Sequence, residues 1–434
     1  MAPRRRAVLG AAAAGLSLLA GCSSDGPDDT ASGGHTVPDR SDERQIGLTH
    51  VRLSGNRVVG GRGTLDAQSD RVSYEFDGRP VWLVTVPTPS GSDWIVAGAD
   101  GRVERIALAG GTVESSTSLG TRSAGAPPVA RRGNGRAQLV TGPETASPLS
   151  APVPVAGDRI LSVATDGSLT VGDGEATRRA DVGALPDARP VRVAPGRYAV
   201  LAGRTERYPH GALGDGLEAE RVVLADVRDG LTVRTAVDLS ASVVEGIAPI
   251  AADLTGDGAR DLLVTLSDAD SGARLAAFTA EGERLATGPG FSTGNRWRHQ
   301  LCVAPFGTDG ELEVAAVETP HVGGTARFYR RRGDELRTVA SRSGVSSHAL
   351  GSRNLDGGLA ADVDGDGRPE LLVPTDRRDE LLALARVPDG GVEVRRRFGV
   401  GGELASNLTG VRQGDGTLAV GAAGSDGVVR IWHG

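Results

Sequence analysis

Short apolar runs of β type recur along the chain at a spacing that restricts its fold more than any other feature. They are WIVAG (94–98), ILSVA (160–164), VVLAD (222–226), DLLVT (261–265), LEVAA (312–316), ELLVP (370–374) and TLAVG (417–421). Gly and Asp bound these runs, and the mean advance from one start to the next is about 54 residues. Strands at roughly this interval are typical of β-propeller blades, whereas a β-solenoid needs a shorter period.

The fold class predicted from these runs is therefore all-β, a β-propeller of seven blades. Six or eight blades stay open, because YAVLA (198–202) competes with VVLAD for the third blade. The chain ends in a strand-like segment, GVVRIWHG (427–434), and a similar segment, RVSYEFDG (71–78), precedes the first clear blade. We expect the earlier segment to complete the last sheet, because that pairing removes two open sheet edges.

The first residues read as an export signal rather than as part of the fold. Arg4, Arg5 and Arg6 precede a short apolar stretch that ends in LAGC at Cys22. A secretory signal typically has a basic start, an apolar stretch of this length and small residues before the signal-peptidase cleavage site. LAGC resembles a bacterial lipobox, and the resemblance implies that Cys22 carries lipid and holds the mature protein at a membrane surface. RRAVL also resembles, loosely, a twin-arginine signal, so the export route is left open.

Three regions follow from this interpretation. Residues 1–21 form a lipoprotein signal peptide, and residues 22–45 form the lipidated Cys and a disordered linker of Ser, Gly, Pro and acidic residues. Residues 46–434 form the propeller domain, predicted to be a monomer exported to the outer face of the cell membrane. Only two cysteines occur, which leaves no pair for a disulfide within that domain.

The charge of the chain argues against nucleic acid as a partner. The formal net charge is −7, and removing residues 1–21 takes away three Arg and no acid, which leaves 45 basic and 55 acidic residues. An acidic mature chain does not provide the basic surface that general nucleic-acid binding requires.

Two loops between 250 and 375 place oxygen ligands at matching positions before a strand. Positions 1, 3, 5 and 9 hold Asp253, Thr255, Asp257 and Asp261 in the first loop, and Asp362, Asp364, Asp366 and Glu370 in the second. Gly stands at position 6 of both, and the carbonyls of Ala259 and Arg368 at position 7 can add a further oxygen. Six to eight hard oxygen ligands suit Ca²⁺. Position 12 is Val264 or Val373, which excludes an EF-hand.

The motif DVDGDGRPE followed by LLVP resembles the FG-GAP/VCBS repeat, the calcium-loop blade of integrin-α-type propellers. The resemblance covers roughly residues 250–375 and implies that each loop joins the first two strands of a blade. It also implies one or two structural Ca²⁺ ions. APFGTDGELEVAAVETP (304–320) resembles a decayed third copy with Pro305 and Gly307 at ligand positions, and we expect no metal there.

A second group of polar residues lies in Gly- or Pro-marked loops of the second half of the chain. These residues are His210, Arg296, Trp297, Arg298, His299, His321, His348 and Arg353. Loops on one face of a propeller converge on its centre, so these side chains are candidates for a face that binds an anionic or sugar-like ligand. The alternative is that they satisfy backbone groups of their own loops. Zinc binding by His299, His321 and His348 is disfavoured, because nothing fixes their spacing.

The sequence supports one function class and leaves an alternative. The first is a membrane-anchored propeller that binds or scaffolds a glycan or protein partner. The alternative is an enzyme: a polysaccharide lyase or hydrolase using the His and Arg residues, or a quinoprotein dehydrogenase. The latter is suggested because WIVAGADGRVERIALAGGTV and ILSVATDGSLTVGDG resemble PQQ-type propeller repeats. It is disfavoured because the chain has four Trp and no convincing cofactor-binding set.

Overall fold

The computed structural model describes residues 45–66, 71–123, 125–173, 176–291 and 296–434. The predicted signal peptide, Cys22 and nearly all of the linker lie outside these ranges. The regular elements of the described residues are β-strands. No helix in this part of the chain is long and apolar enough to span a membrane.

Seven four-stranded antiparallel sheets account for most of the chain. We number all sheets along the chain, and number 2 is kept for a three-stranded sheet described below. Sheet 1 contains β3 (Pro80–Thr88), β4 (Gly91–Gly98), β5 (Arg102–Ala109) and β6 (Thr112–Thr121). Sheet 3 contains β9 (Val153–Pro154), β10 (Ile160–Val163), β11 (Ser168–Gly172) and β12 (Thr177–Asp181). Sheet 4 contains β13 (Val191–Ala194), β14 (Arg197–Thr205), β15 (Glu218–Asp226) and β16 (Thr232–Asp238).

The second half of the chain continues the pattern. Sheet 5 contains β17 (Val243–Ala252), β18 (Asp261–Ser267), β19 (Arg274–Phe278) and β20 (Arg284–Thr287). Sheet 6 contains β21 (Arg298–Ala304), β22 (Glu313–Glu318), β23 (Gly324–Arg332) and β24 (Glu335–Val345). Sheet 7 contains β25 (Leu359–Ala361), β26 (Glu370–Pro374), β27 (Glu380–Arg386) and β28 (Val392–Gly399). Single residue pairs connect sheet 4 to sheet 5 and sheet 5 to sheet 6.

The predicted closure of the ring is confirmed. Sheet 8 contains β29 (Thr409–Arg412), β30 (Leu418–Ala423), β31 (Val428–His433) and the early strand β2 (Arg71–Glu75), which pairs with β31 from Arg71–Trp432 to Glu75–Val428. A close approach then joins sheet 8 to sheet 1. A Cβ at Gly421 would lie 2.4 Å from the Trp94 ring, so only glycine lets this buried indole pack against β30.

A further sheet has three strands. Sheet 2 contains β1 (Ile46–Leu48), β7 (Val129–Gly133) and β8 (Arg136–Leu139), with β7 in the middle. None of the seven apolar runs falls in it, whereas each run lies in a different four-stranded sheet. The all-β propeller fold is thus established, and the number of blades stays a prediction.

The apolar runs are continuous rather than alternating because the strands that carry them are covered on both faces. Every residue of β4, β18, β22, β26 and β30 is buried. Stacked neighbouring sheets cover both sides of such a strand, so no position needs to be polar.

The segment between β1 and β2 crosses the centre of the ring. The carbonyl oxygen of Leu53 accepts the Arg192 N–H of β13, and that of Ser54 accepts the Ala251 N–H of β17. The Asn56 side chain exchanges two hydrogen bonds of 2.8 Å with the backbone of Val303 in β21. Since these are the first strands of sheets 4, 5 and 6, those strands line the centre and residues 49–59 fill the space between them.

Candidate functional site

Two faces of the propeller carry the residues of interest. Successive strands of a sheet are antiparallel, so the loop from the first to the second strand and the loop from the second to the third lie at opposite ends. The acidic loops at 253–261 and 362–370 join first to second strands, and we call their side the acidic-loop face. Loops 206–217, 319–323 and 346–358 lie at the other end, and we call that side the histidine face.

Loop 362–370 folds around its own carboxylates. Asp362 accepts the backbone N–H groups of Gly365 at 2.8 Å and Gly367 at 2.9 Å. Glu370 accepts the N–H of Val363 at 2.9 Å. Gly365 and Gly367 have φ values of 80° and 87°, in the left-handed region that glycine adopts without strain. The sequence DGDG therefore permits a tight turn that directs alternate side chains inward.

Three carboxylates of this loop meet closely enough to share one ion. In the described part of the chain, Asp362, Asp364 and Glu370 are the group of three that presents oxygens all within 4.8 Å of one another. Burial, followed by the neighbouring aspartates, raises the pKa of Glu370 to about 7. Burial also raises the pKa of Asp362. Hard oxygen donors at this separation fit a Ca²⁺ ion, which would replace the mutual repulsion of the carboxylates with attraction.

Asp366 and Arg368 stand apart from this group. The Arg368 guanidinium pairs with Asp366 at 2.9 Å, and the Arg368 N–H donates to the same carboxylate at 2.8 Å. Asp366 was predicted as an inward ligand from its position in the loop. In the structure its charge is instead balanced by Arg368.

Loop 253–261 repeats this backbone arrangement with one carboxylate fewer. Asp253 accepts the N–H groups of Gly256 at 2.6 Å and Gly258 at 2.9 Å, and Asp261 accepts the N–H of Leu254 at 2.9 Å. Burial, followed by a neighbouring carboxylate, raises the pKa of Asp261 to about 6. Thr255 occupies the position that corresponds to Asp364.

The remaining predicted ligands of this loop are Asp257 and Ala259. The Ala259 N–H donates to Asp257 at 2.8 Å, as Arg368 does to Asp366 in the second loop. The two loops therefore have the same pattern of backbone hydrogen bonds but differ in the number of carboxylates that they contain.

The carboxylate that ends the decayed third loop is paired with arginines of two neighbouring strands, β23 and β27. Glu313, at the position of Glu370, pairs with Arg330 at 2.6 Å and with Arg386 at 3.1 Å, and its side chain is fully buried. Arg330 also pairs with Glu311. Two guanidinium groups, one from sheet 6 and one from sheet 7, therefore balance this carboxylate.

Aromatic and imidazole rings cluster at the histidine face. Trp297 stacks on His299 with ring centroids 4.7 Å apart, and His348 meets the edge of Trp297 at 5.0 Å. His321 lies 6.0 Å from His348. Burial lowers the pKa of His348 to about 4 and holds that of His299 well below its usual range. The predicted convergence is thus observed, but His299 and His348 are buried and neutral. Within the described residues no three histidines bring their ring nitrogens close enough to share a metal ion.

His210 and Arg353 reach the same face and are already paired. His210 Nδ1 lies 2.5 Å from Glu245. Arg353 bridges Asp187 at 3.1 Å and Asp215 at 2.5 Å. Both side chains therefore hold neighbouring loops together.

Arg296 and Arg298 differ in their surroundings. Arg296 is exposed next to the ring cluster, as the prediction requires. Arg298 lies in β21 beside His299, but its buried guanidinium pairs with Glu318 at 2.7 Å inside sheet 6 and does not join the ring cluster. Alternate residues of a strand point to opposite sides, which sends Arg298 away from Trp297 and His299.

An open cleft of about 350 Å³ lies beside the ring cluster, lined by residues that include His348, Leu350, Arg378 and Glu403. Val322 and Leu350 are the exposed large apolar side chains of the described chain, with 71% and 68% of their surfaces accessible. Both lie in loops of the histidine face. Thr319, which precedes Val322 in its loop, has a φ of 46°, a strained value for a β-branched residue.

The centre of the ring contains an ion-pair network that the sequence did not predict. Asp356 is fully buried between Arg57 at 2.8 Å and Arg189 at 2.5 Å, and both arginines are buried as well. Burial disfavours the carboxylate, but the two guanidinium groups outweigh it and hold the pKa of Asp356 well below its usual range. His50 lies beside them, and burial together with Arg189 lowers its pKa to about 3. The network ties the crossing segment to the loops before β13 and β25.

Comparisons with known proteins find similar solved structures and no family. The chain is similar to the crystal structure of BamB from Moraxella catarrhalis, with 14% identity and a TM-score of 0.48 over 86% of this chain and 100% of that one. It is also similar to the β-propeller domain of Myceliophteria thermophila Cps50 (Swd1), with 12% identity and a TM-score of 0.44 over 85% and 99%. No family model matches the chain, and no curated protein matches its sequence. The resemblance to FG-GAP/VCBS repeats therefore stays a prediction that depends on the two acidic loops.

Proposed function

We propose that this protein is an exported, membrane-anchored β-propeller that binds a protein partner with its histidine face. Ca²⁺ in the acidic loops would stabilise the fold from the opposite face. The lipid on Cys22, which lies outside the described residues, would provide the anchor. A glycan ligand is the second possibility within the same class.

The exposure of Val322 and Leu350 supports a binding role most directly. An exposed large apolar side chain is not unusual by itself, but two on one face beside an open cleft favour a contact surface. Arg378 and Glu403, which line the cleft, provide the polar surroundings that such contact surfaces have at their rims.

The geometry favours binding over catalysis. A lyase or hydrolase needs an accessible acid or base near the substrate. His299 and His348 are buried and neutral, and Arg353 is held by two aspartates. These pairings favour a rigid platform over the mobile proton-transfer groups of the enzyme hypothesis.

In the acidic loops, Asp362, Asp364 and Glu370 would hold the ion, and Asp253 and Asp261 with the Thr255 hydroxyl would form the weaker second site. When bound, Ca²⁺ supplies the positive charge that Arg330 and Arg386 supply to Glu313 in sheet 6. This proposal gives the ion a structural role.

Replacing Cys22 with Ser should release the protein from membranes. Without the thiol no lipid can be attached, and the described residues form no helix long and apolar enough to span a membrane. Detergent-phase partitioning should move most of the protein into the aqueous phase. C302A is the matched control, because Cys302 is a buried free thiol in β21 and its removal should leave partitioning unchanged. Retention of the C22S variant in the detergent phase would contradict lipid anchoring.

A photo-crosslinker at position 350 should capture a discrete protein partner in intact cells. The control carries the same group at Asp389, an exposed turn residue on the acidic-loop face. We expect an adduct at position 350, none at 389, and at least a fivefold loss of adduct when V322D is combined with the crosslinker at 350. Val322 is exposed, so V322D should change the free energy of unfolding by no more than about 0.5 kcal/mol.

Equal adducts at positions 350 and 389 would argue against a specific face. If position 350 gives no protein adduct, a glycan array probed with the wild-type protein and with V322D tests the second possibility. Signal from the wild type that V322D loses would reassign the face to glycan binding.

A further inference from the structure

A small internal cavity lies at the centre of the propeller, next to the ion-pair network. Its volume is about 20 Å³, and its polar lining includes His50, Arg57, Arg189, Trp297 and His299. A cavity of this volume holds one water-sized or slightly larger species, and it excludes molecules with several carbon atoms. Its occupant is therefore small and must satisfy polar groups.

The lining contains hydrogen-bond donors that lack a protein acceptor. Both ring nitrogens of His50, Nε of Arg189 and Nε1 of Trp297 are buried without a hydrogen-bond partner. Arginine and tryptophan nitrogens can only donate, and a neutral histidine donates through one nitrogen. All three side chains are at least nine-tenths buried, so solvent does not satisfy them. Buried donors of this kind are normally satisfied, which points to an acceptor inside the cavity.

The ion-pair network beside the cavity carries a net positive charge. Two guanidinium groups, of Arg57 and Arg189, face the single carboxylate of Asp356. Glu245 also lines the cavity, and its two oxygens are hydrogen-bonded to His210 and Ser267 rather than to either guanidinium. One positive charge thus remains without a counter-charge in the ion-pair network, and a buried charge of this kind is costly unless it is paired.

We propose that this cavity is a binding site for one small monovalent anion of the halide class, with chloride as the physiological form. The donors of His50, Arg189 and Trp297 would surround the ion, and the second guanidinium would balance its charge. The site is independent of the partner proposed for the histidine face. It would connect the crossing segment at His50 with the loops that carry Arg189 and Trp297.

Two measurements on the purified chain test this site. Crystals soaked in bromide should show an anomalous peak inside the cavity, whereas a water molecule at that position would overturn the proposal. In solution, chloride should raise the melting temperature in a saturable way. Gluconate at equal ionic strength should not, because it is too large for the cavity. Superimposed chloride and gluconate curves would also overturn the proposal.

The W297F variant identifies the donor. It keeps an aromatic ring next to His299 and removes the indole N–H, so the chloride concentration at half-saturation should rise about tenfold. W432F is the matched control, because Trp432 is equally buried with an unpartnered Nε1 but belongs to the core of sheets 7 and 8. Its half-saturation should equal that of the wild type. An unchanged half-saturation in W297F, or an equal rise in W432F, would contradict the assignment.

Discussion

Replacing Asp356 with Asn should lower the free energy of unfolding by about 3–5 kcal/mol, the usual cost of removing one partner from a buried ion pair. The side chain is fully buried, and the Arg57 and Arg189 guanidinium groups would stay in the interior without their counter-charge. An Asn oxygen can still accept one hydrogen bond, but it carries no charge. Urea denaturation at pH 7 measures the loss through the midpoint and slope of the transition.

Two further variants make this prediction specific. D158N removes an exposed carboxylate that pairs with Arg131 at 3.1 Å, and it should change the free energy of unfolding by less than about 1 kcal/mol. The double variant D356N/R189Q restores the net charge of the native triad and should recover part of the loss. A destabilisation by D356N as small as that of D158N would show that the centre does not depend on this network.

Removing Ca²⁺ with a chelator should lower the melting temperature, and adding Ca²⁺ should restore it. A ligand at 100 times its dissociation constant stabilises the folded state by about 2.7 kcal/mol, which for a chain of this size corresponds to about 3 °C. The effect should come mainly from loop 362–370, where Asp362, Asp364 and Glu370 meet.

The D364N variant tests that assignment by calorimetry with and without chelator. It removes one carboxylate from the group of three and should lose most of the calcium response. D389N, which changes a turn carboxylate of the same sheet and face, should keep the full response. A wild-type melting temperature that is unchanged by chelation would refute a structural role for calcium.

The parts of the fold that were predicted are those specified by local sequence. The apolar runs lie in separate sheets because each is a strand covered on both faces, and a strand of this kind needs a continuous apolar stretch. The Asp-Gly turns between paired strands are also specified locally, since Gly101 and Gly167 have the positive φ that such hairpins require. The acidic loops lie between first and second strands, as their resemblance implied.

The crossing segment and the three-stranded sheet could not be predicted. LTHVRLSGNRVV (48–59) has no strand alternation, and its one turn signal, Ser54-Gly55, does not show where the segment lies in the fold. Its structure depends on partners such as Val303 and Asp356, which lie 247 and 299 positions away from the residues they contact. The histidine face was located only approximately, because loop membership does not show which side chains are buried. Arg298 does not join the ring cluster, since alternation along β21 turns its side chain away from those of Trp297 and His299 and toward Glu318.

The crossing segment also determines when the ring of sheets can close during folding. Residues 49–66 emerge from the ribosome early, but their partners include Leu418, and β2 pairs with β31, which is synthesised more than 350 residues later. Native contacts between such distant parts of a chain give a high contact order, which slows folding. Individual sheets can form as they emerge, but the ring cannot close until the last strand is delivered. The final step of folding must therefore wait until the strand β31 has been synthesised.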